Sequence, residues 1–296
     1  MSKIAATFSR LLRFHPKSSP TSILIGEPTS PTLDVGLALH NHQDVTVSVF
    51  TGTSILNPGT KTPQTESIAQ LLSPLSQAEA GTIRCIGLNY VSHAKEMSLP
   101  IPSTPTLFLK PASALNNPYP TSTTLLPKIT QEDNTGDYES EMAIILGKDA
   151  KDVAEEEALD YVLGYTAAND ISSRTSQMNQ SQWCFSKGFD GACPLGPVVV
   201  SANEVKTVEE LVIKGVKNGV EVQSCSLSDL IFSVPKLVSF LSQGTTLPAG
   251  TVILTGTPPG VGAAKNPKEY LRHGDVFGVE LLPGVGTLVT KVENQG

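Results

Sequence analysis

Asp137-Tyr138-Glu139-Ser140-Glu141 runs directly into Met142-Ala143-Ile144-Ile145-Leu146-Gly147. An apolar run bounded by glycine reads as a buried strand. Side chains alternate along a strand, so Glu139 and Glu141 point to one face. Adjacent like charges repel by about 0.2–1 kcal/mol when exposed and by more when buried. A cation between them removes that cost. A second apolar run, Tyr161 to Ala168, ends at Asn169-Asp170 and predicts a partner strand finishing at the same place. Three carboxylates without Cys or His suit a hard cation that keeps oxygen ligands and water, such as Mg²⁺, Mn²⁺ or Ca²⁺. Spacing alone leaves a second reading open, in which the glutamates line a solvated strand face and Asp170 is a turn residue.

Further motifs follow outward from that stretch. Downstream lie Asn169-Asp170-Ile171-Ser172-Ser173-Arg174-Thr175-Ser176-Gln177 and Lys187-Gly188-Phe189-Asp190, followed by Cys193-Pro194-Leu195-Gly196-Pro197. Later comes Leu254-Thr255-Gly256-Thr257-Pro258, and upstream Gly87-Leu88-Asn89-Tyr90. Taken in order, these resemble the fumarylacetoacetate hydrolase (FAH) family over about Arg84 to Val292.

The resemblance implies a mixed β-roll or sandwich with few helices, mainly β in class, that works as a homodimer. It makes Glu139, Glu141 and Asp170 the ligands of Mg²⁺ or Mn²⁺. Asn89-Tyr90-Val91-Ser92-His93-Ala94-Lys95-Glu96 fits the family pattern N-Y-x-x-H-x-x-E. By that match His93 and Glu96 form a water-activating pair on a lid. Lys187 is implied as a site lysine near the substrate oxygens, with Tyr90, Arg174, Gln177 and Thr257 as substrate contacts. Two departures stand out near Arg174: Ser173 replaces an alanine and Thr175 replaces an acid, which frees Arg174 from a local ion pair. Pro259 stands where many relatives carry lysine.

The residues themselves agree with a lid. His93 and Glu96 are at i and i+3, so a helix from Val91 to Ser98 brings them together. Pro100, Pro102 and Pro105 then forbid helix, giving a short helix followed by a proline-rich loop. Lys110, ending the strand-like Thr106 to Lys110, is either an electrostatic neighbour of the site or a surface residue.

The remaining chain sets bounds. With 296 residues and 39% hydrophobic content, the sequence supports a sizeable core and is not a disordered chain. Net charge is −7 with no basic block, which argues against nucleic acid as a partner. No apolar run approaches a membrane span. Cys85, Cys184, Cys193 and Cys225 form no C-x-x-C pair or zinc spacing, and fit a reducing compartment. That predicts a cytoplasmic protein. The basic, acid-free stretch from Lys3 to Lys17 keeps a mitochondrial transit peptide open beside the preferred reading, a strand from Phe8 to Phe14.

Residues 1–80 read as a small β-rich module and 81–296 as the catalytic unit. Gly59 to Glu66 looks turn-rich, and Ile68, Leu71 and Leu72 predict a short helix over Ser67 to Ser73. Lys217-Asn218-Gly219 predicts a hairpin turn. Asp229 reads as the start of a helix that ends at Gly244.

The expected activity is metal-dependent hydrolysis of a C–C bond in a small 1,3-dicarbonyl or 2-oxo acid. The same residues could decarboxylate oxaloacetate or interconvert its keto and enol forms. A non-catalytic metal and ligand binder is the rival of another class.

Overall fold

The computed structural model describes residues 7–296. The chain is mostly β. Its largest sheet runs, in spatial order, Leu24–Pro28, Thr46–Phe50, Lys61–Leu72, Arg10–Pro16, Cys193–Ser201, Val162–Asn169, Ser140–Leu146, Val252–Leu254, Ile83–Gly87 and Thr106–Lys110. Leu115–Asn116 adds a short parallel pairing to Cys193–Ser201. A second sheet orders Val220–Ser226, Val212–Lys217, Val276–Leu282, Gly286–Asn294 and Thr124–Leu126.

The two sheets pack face to face where Ser140–Leu146 meets Val212–Lys217 and Val276–Leu282. Every residue from Ser140 to Leu146 is buried. This explains the unbroken apolar run: both faces of the strand lie inside the protein. Met142, Ile144 and Leu146 belong to the larger core cluster, while Ala143 and Ile145 belong to the smaller one on the other face.

The N-terminal strands close on themselves, because Arg10–Pro16 pairs with both Leu24–Pro28 and Lys61–Leu72. Arg10–Pro16 also pairs with Cys193–Ser201, and Leu12, Phe14 and Val35 share one buried cluster with Ile144. The strand expected at Phe8 to Phe14 is present with its ends two residues later. Residues 1–6, which include the start of the transit-peptide reading over Lys3 to Lys17, lie outside the described residues.

Three expectations need correction. Residues 67–73 form no helix, and 59–66 are not all turn: Lys61–Leu72 is one long strand. Its register against Arg10–Pro16 pairs Leu71 with Phe14 and Ile68 with Pro16, with an irregularity between. The extra residue of a bulge shifts the side-chain alternation by one. Ile68 and Leu71 thus face inward at a spacing of three, which imitates a helix. Further on, Asp229 ends a short 3₁₀ turn, Leu227–Asp229. The helix itself is Val234–Ser242, capped by the Ser233 hydroxyl accepting from Lys236 N, with Pro235 in its first turn.

The hairpin is as expected. Val212–Lys217 and Val220–Ser226 pair across Asn218 and Gly219, whose φ values of 50° and 82° are those of a two-residue type I′ connection. Glu155–Tyr161 is a 3₁₀ helix with its glutamates exposed. No helix among the described residues is long and apolar enough to cross a membrane.

Candidate active site

The site forms where several strand ends converge. Ser140 pairs with Asn169 and Glu141 with Ala168, so Glu139 and Asp170 flank one end of the same ladder. Ala143 pairs with Leu254, which delivers Gly256 and Thr257 to that end. Val252–Leu254 runs parallel to Ile83–Gly87, which brings Asn89 and Tyr90 alongside. Asn89 locks the junction: its amide donates to the carbonyls of Thr255 (2.8 Å) and Phe232 (3.2 Å) and accepts from Phe232 N (2.7 Å).

Glu139, Glu141 and Asp170 each present an oxygen within 4.8 Å of the others, and all three are buried. Lys187, the last residue of the short helix Cys184–Lys187, bridges two of them, at 2.6 Å from Glu139 and 2.8 Å from Asp170. Fully buried Lys110 pairs with the other oxygen of Asp170, so it belongs to the site and not to the surface. Arg174 donates to Glu139 at 2.7 Å, to Asp137 at 2.8 Å and to Gln177 at 2.9 Å.

Asp137 is the residue that sequence reasoning missed. It is buried, and besides Arg174 it accepts from Tyr138 N, Gly262 N and Ala263 N at 2.9–3.0 Å. It replaces the acid that Thr175 lacks and settles the orientation of Arg174. No periodic pattern distinguished it, because its role comes from the later glycine-rich loop folding back on it.

The electrostatics are lopsided. Burial pushes Glu139 up, but the charges of Lys187 and Arg174 outweigh it and hold the carboxyl below its ordinary range. Burial pushes Glu141 well above that range, and Asp170 and Glu139 push it further the same way. Among the described residues, the carboxylates of Asp137, Glu139, Glu141 and Asp170 face three cations, Lys110, Lys187 and Arg174. Glu141 is the one left over. Its recorded partner is a single neutral donor, Gly256 N at 2.7 Å. An all-oxygen donor set with one uncompensated buried carboxylate fits a hard divalent cation.

The other expected residues lie around this cluster. Tyr90 is buried with its hydroxyl unpartnered, and its pKa is raised by burial and then by Glu141. Thr257 is 5% exposed and accepts from Gln223 at 2.8 Å. His93 and Glu96 lie on the helix Val91–Glu96, joined by a 2.8 Å contact between His93 Nδ1 and Glu96 Oε2. The other Glu96 oxygen accepts from Gly260 N at 2.9 Å. The helix therefore docks on the loop whose Gly256 touches Glu141. The glycine-rich loop, more than a hundred residues further along the chain than either group, joins the His93–Glu96 pair to Glu141.

Residues 82–293 match the family described as fumarylacetoacetate (FAA) hydrolase C-terminal. The chain belongs to the fumarylacetoacetate hydrolase family. Caffeoylpyruvate hydrolase of Neonothopanus nambi is 41% identical over 300 residues, covering 100% of this chain and 96% of that one. Human mitochondrial oxaloacetate tautomerase FAHD2A is 38% identical over 223 residues, 75% of this chain and 68% of its own. A solved fumarylacetoacetate hydrolase from Exiguobacterium antarcticum superposes with a TM-score of 0.77 at 27% identity, over 97% of this chain and all of that one. The chain is an enzyme of this family, with its fold.

Proposed function

We propose that this FAH-family enzyme hydrolyses the C–C bond of a small acylpyruvate-type acid with the help of Mg²⁺ or Mn²⁺. The observation that carries this reading is the His93–Glu96 pair docked on the same loop that touches Glu141. A relative alike over its whole length, and named for hydrolysis of an acylpyruvate, supports it.

Glu139, Glu141 and Asp170 would hold the cation. When bound, it supplies a positive centre for the carboxylate and 2-oxo oxygens of the substrate and for the negative charge that develops as the bond breaks. Arg174, Gln177, Tyr90 and Thr257 would orient the substrate. Lys187 lies between Glu139 and Asp170, whose charges raise its pKa although burial lowers it. Its Nζ would serve as a donor to substrate oxygens.

Proton transfer then falls to His93. Glu96 accepts from Nδ1–H, which leaves the Nε2 lone pair free to take a proton from water. The resulting hydroxide adds to the acyl carbonyl, the bond to the pyruvyl carbon breaks, and that carbon takes a proton from the imidazolium. Carboxylic acid and pyruvate leave, and His93 is neutral again.

Hydrolysis needs this base, whereas decarboxylation releases CO₂ without a nucleophile. His93→Ala is therefore expected to slow acylpyruvate cleavage by roughly 10²–10⁴-fold and oxaloacetate decarboxylation by less. Product analysis on both substrates checks this. Equal losses would assign His93 to positioning. Accelerated enol–keto interconversion of oxaloacetate without cleavage of either substrate would make the enzyme a tautomerase.

A further inference from the structure

Gln223 belongs to Val220–Ser226, an edge strand of the second sheet, yet its side chain is 2% exposed and reaches the glycine-rich loop. Oε1 accepts from Ser140 N at 3.0 Å. Nε2 donates to Pro258 O at 2.8 Å and to Thr257 Oγ1 at 2.8 Å. A main-chain N–H can only donate and a carbonyl can only accept, so Ser140 and Pro258 together fix which end of the amide is nitrogen. Thr257 Oγ1 must then accept from Gln223. Its own proton is left to donate elsewhere, and no protein acceptor takes it among the described residues. Thr257 follows Gly256, whose N–H meets Glu141, so this spare donor lies beside the carboxylate cluster.

We infer that Gln223 is a positioning residue that sets the polarity of Thr257, committing its hydroxyl as a donor to an anionic or keto oxygen of the substrate. This rests on the oxo-acid reading above. It gives Gln223 a role although it touches neither the substrate nor the carboxylates. It also ties the second sheet to specificity: a substrate must offer an acceptor at that point.

Gln223→Glu tests it. An ionised glutamate cannot donate to Thr257, so the hydroxyl turns its proton toward the new carboxylate and the substrate loses its donor. A protonated glutamate can donate again. The probes are oxalate, a planar dianion resembling the pyruvate enolate, titrated calorimetrically into the Mg²⁺-loaded full chain, and acetylpyruvate turnover. At pH 8 the variant is expected to bind oxalate about 10- to 100-fold more weakly than wild type, with KM raised more than kcat is lowered. The ratio to wild type should shrink toward pH 5.5. Thr257→Val should show the same loss without that recovery, and Thr257→Ser, which restores the hydroxyl, should regain most of the oxalate affinity that Thr257→Val loses.

The double variant Gln223→Glu/Thr257→Val should be no weaker than Thr257→Val alone. If the glutamate weakens oxalate equally in both backgrounds, its charge acts directly and the inference is overturned. Unchanged oxalate affinity in Gln223→Glu or in Thr257→Val overturns it as well. Should the charged variant not fold, Gln223→Met removes the donor without adding charge, and about a 3- to 10-fold weakening is expected, absent in the Thr257→Val background. Turnover of acetylpyruvate alongside any of these failures leaves the proposed function standing. A wild type that neither binds oxalate nor cleaves acetylpyruvate overturns both.

Discussion

Asp137 accepts four hydrogen bonds, three from main-chain amides and one from Arg174. It holds a guanidinium in place and clamps the loop at Gly262. Removing one partner of a buried ion pair strands the other charge. Asp137→Ala is expected to lower stability by about 3–5 kcal/mol, read as a fall in the urea midpoint, with loss of activity beyond what unfolding explains. An unchanged midpoint would mean that Glu139 alone holds Arg174 and that the main-chain amides at Tyr138, Gly262 and Ala263 are satisfied without Asp137. At this scale the clustering of Glu139, Glu141 and Asp170 was legible, because the two-residue spacing in a strand and the end of the next apolar run put three carboxylates together. Asp137 and Gln223 were not, and Lys110 was legible only as one of two readings, because each acts through a contact between distant segments. Asp137 meets Gly262, Lys110 meets Asp170, and Gln223 meets Ser140 and Pro258.

Elements were legible where local chemistry governs them. Asn218-Gly219 can adopt positive φ and makes the hairpin, and the strand over Ser140–Leu146 follows from its unbroken apolar run. Lys61–Leu72 was misread because a bulge breaks strand alternation without any mark in the sequence. The N-terminal strand is held in part by Glu27, whose carboxylate accepts from Ser9 N (2.8 Å), Arg10 N (3.0 Å) and Lys61 Nζ (2.9 Å). Burial raises the Glu27 pKa, but Lys61 and the two amides outweigh it, so the folded value lies below the ordinary one. A carboxyl with a depressed folded pKa stabilises the fold above its unfolded pKa, and that contribution is lost as pH falls through the folded value. Glu27→Gln is therefore expected to cost about 1 kcal/mol at pH 7 and to flatten the loss of stability below about pH 4.3. Thermal melts of both proteins between pH 7 and pH 3 measure this. Parallel melting curves across that range would remove Glu27 from the acid response.

Across the whole molecule, we propose that residues 1–80 are an appended module sharing its core with the catalytic residues 81–296. The family match begins at residue 82, which supports the division, and the pairing of Arg10–Pro16 with Cys193–Ser201 supports the shared core. We also propose a homodimer. Thr106–Lys110 is the edge strand of the largest sheet, and its Leu107 and Leu109 are 45% and 40% exposed, an edge that solvent alone leaves uncovered. Light scattering at micromolar concentration is expected to give twice the 31.3 kDa chain mass, and a clean monomer would count against the dimer. We propose that the convergence of Glu139, Glu141 and Asp170 is what the rest of the fold serves and that cation dependence follows from it. The decisive measurement is acetylpyruvate cleavage by chelator-treated enzyme, back-titrated with Mg²⁺ or Mn²⁺, beside Glu141→Ala. Activity should vanish with EDTA and return with the cation, releasing equal amounts of acetate and pyruvate, while a folded Glu141→Ala stays inactive at the same cation concentrations. Full cleavage in the presence of EDTA, or by Glu141→Ala without added cation, would contradict it.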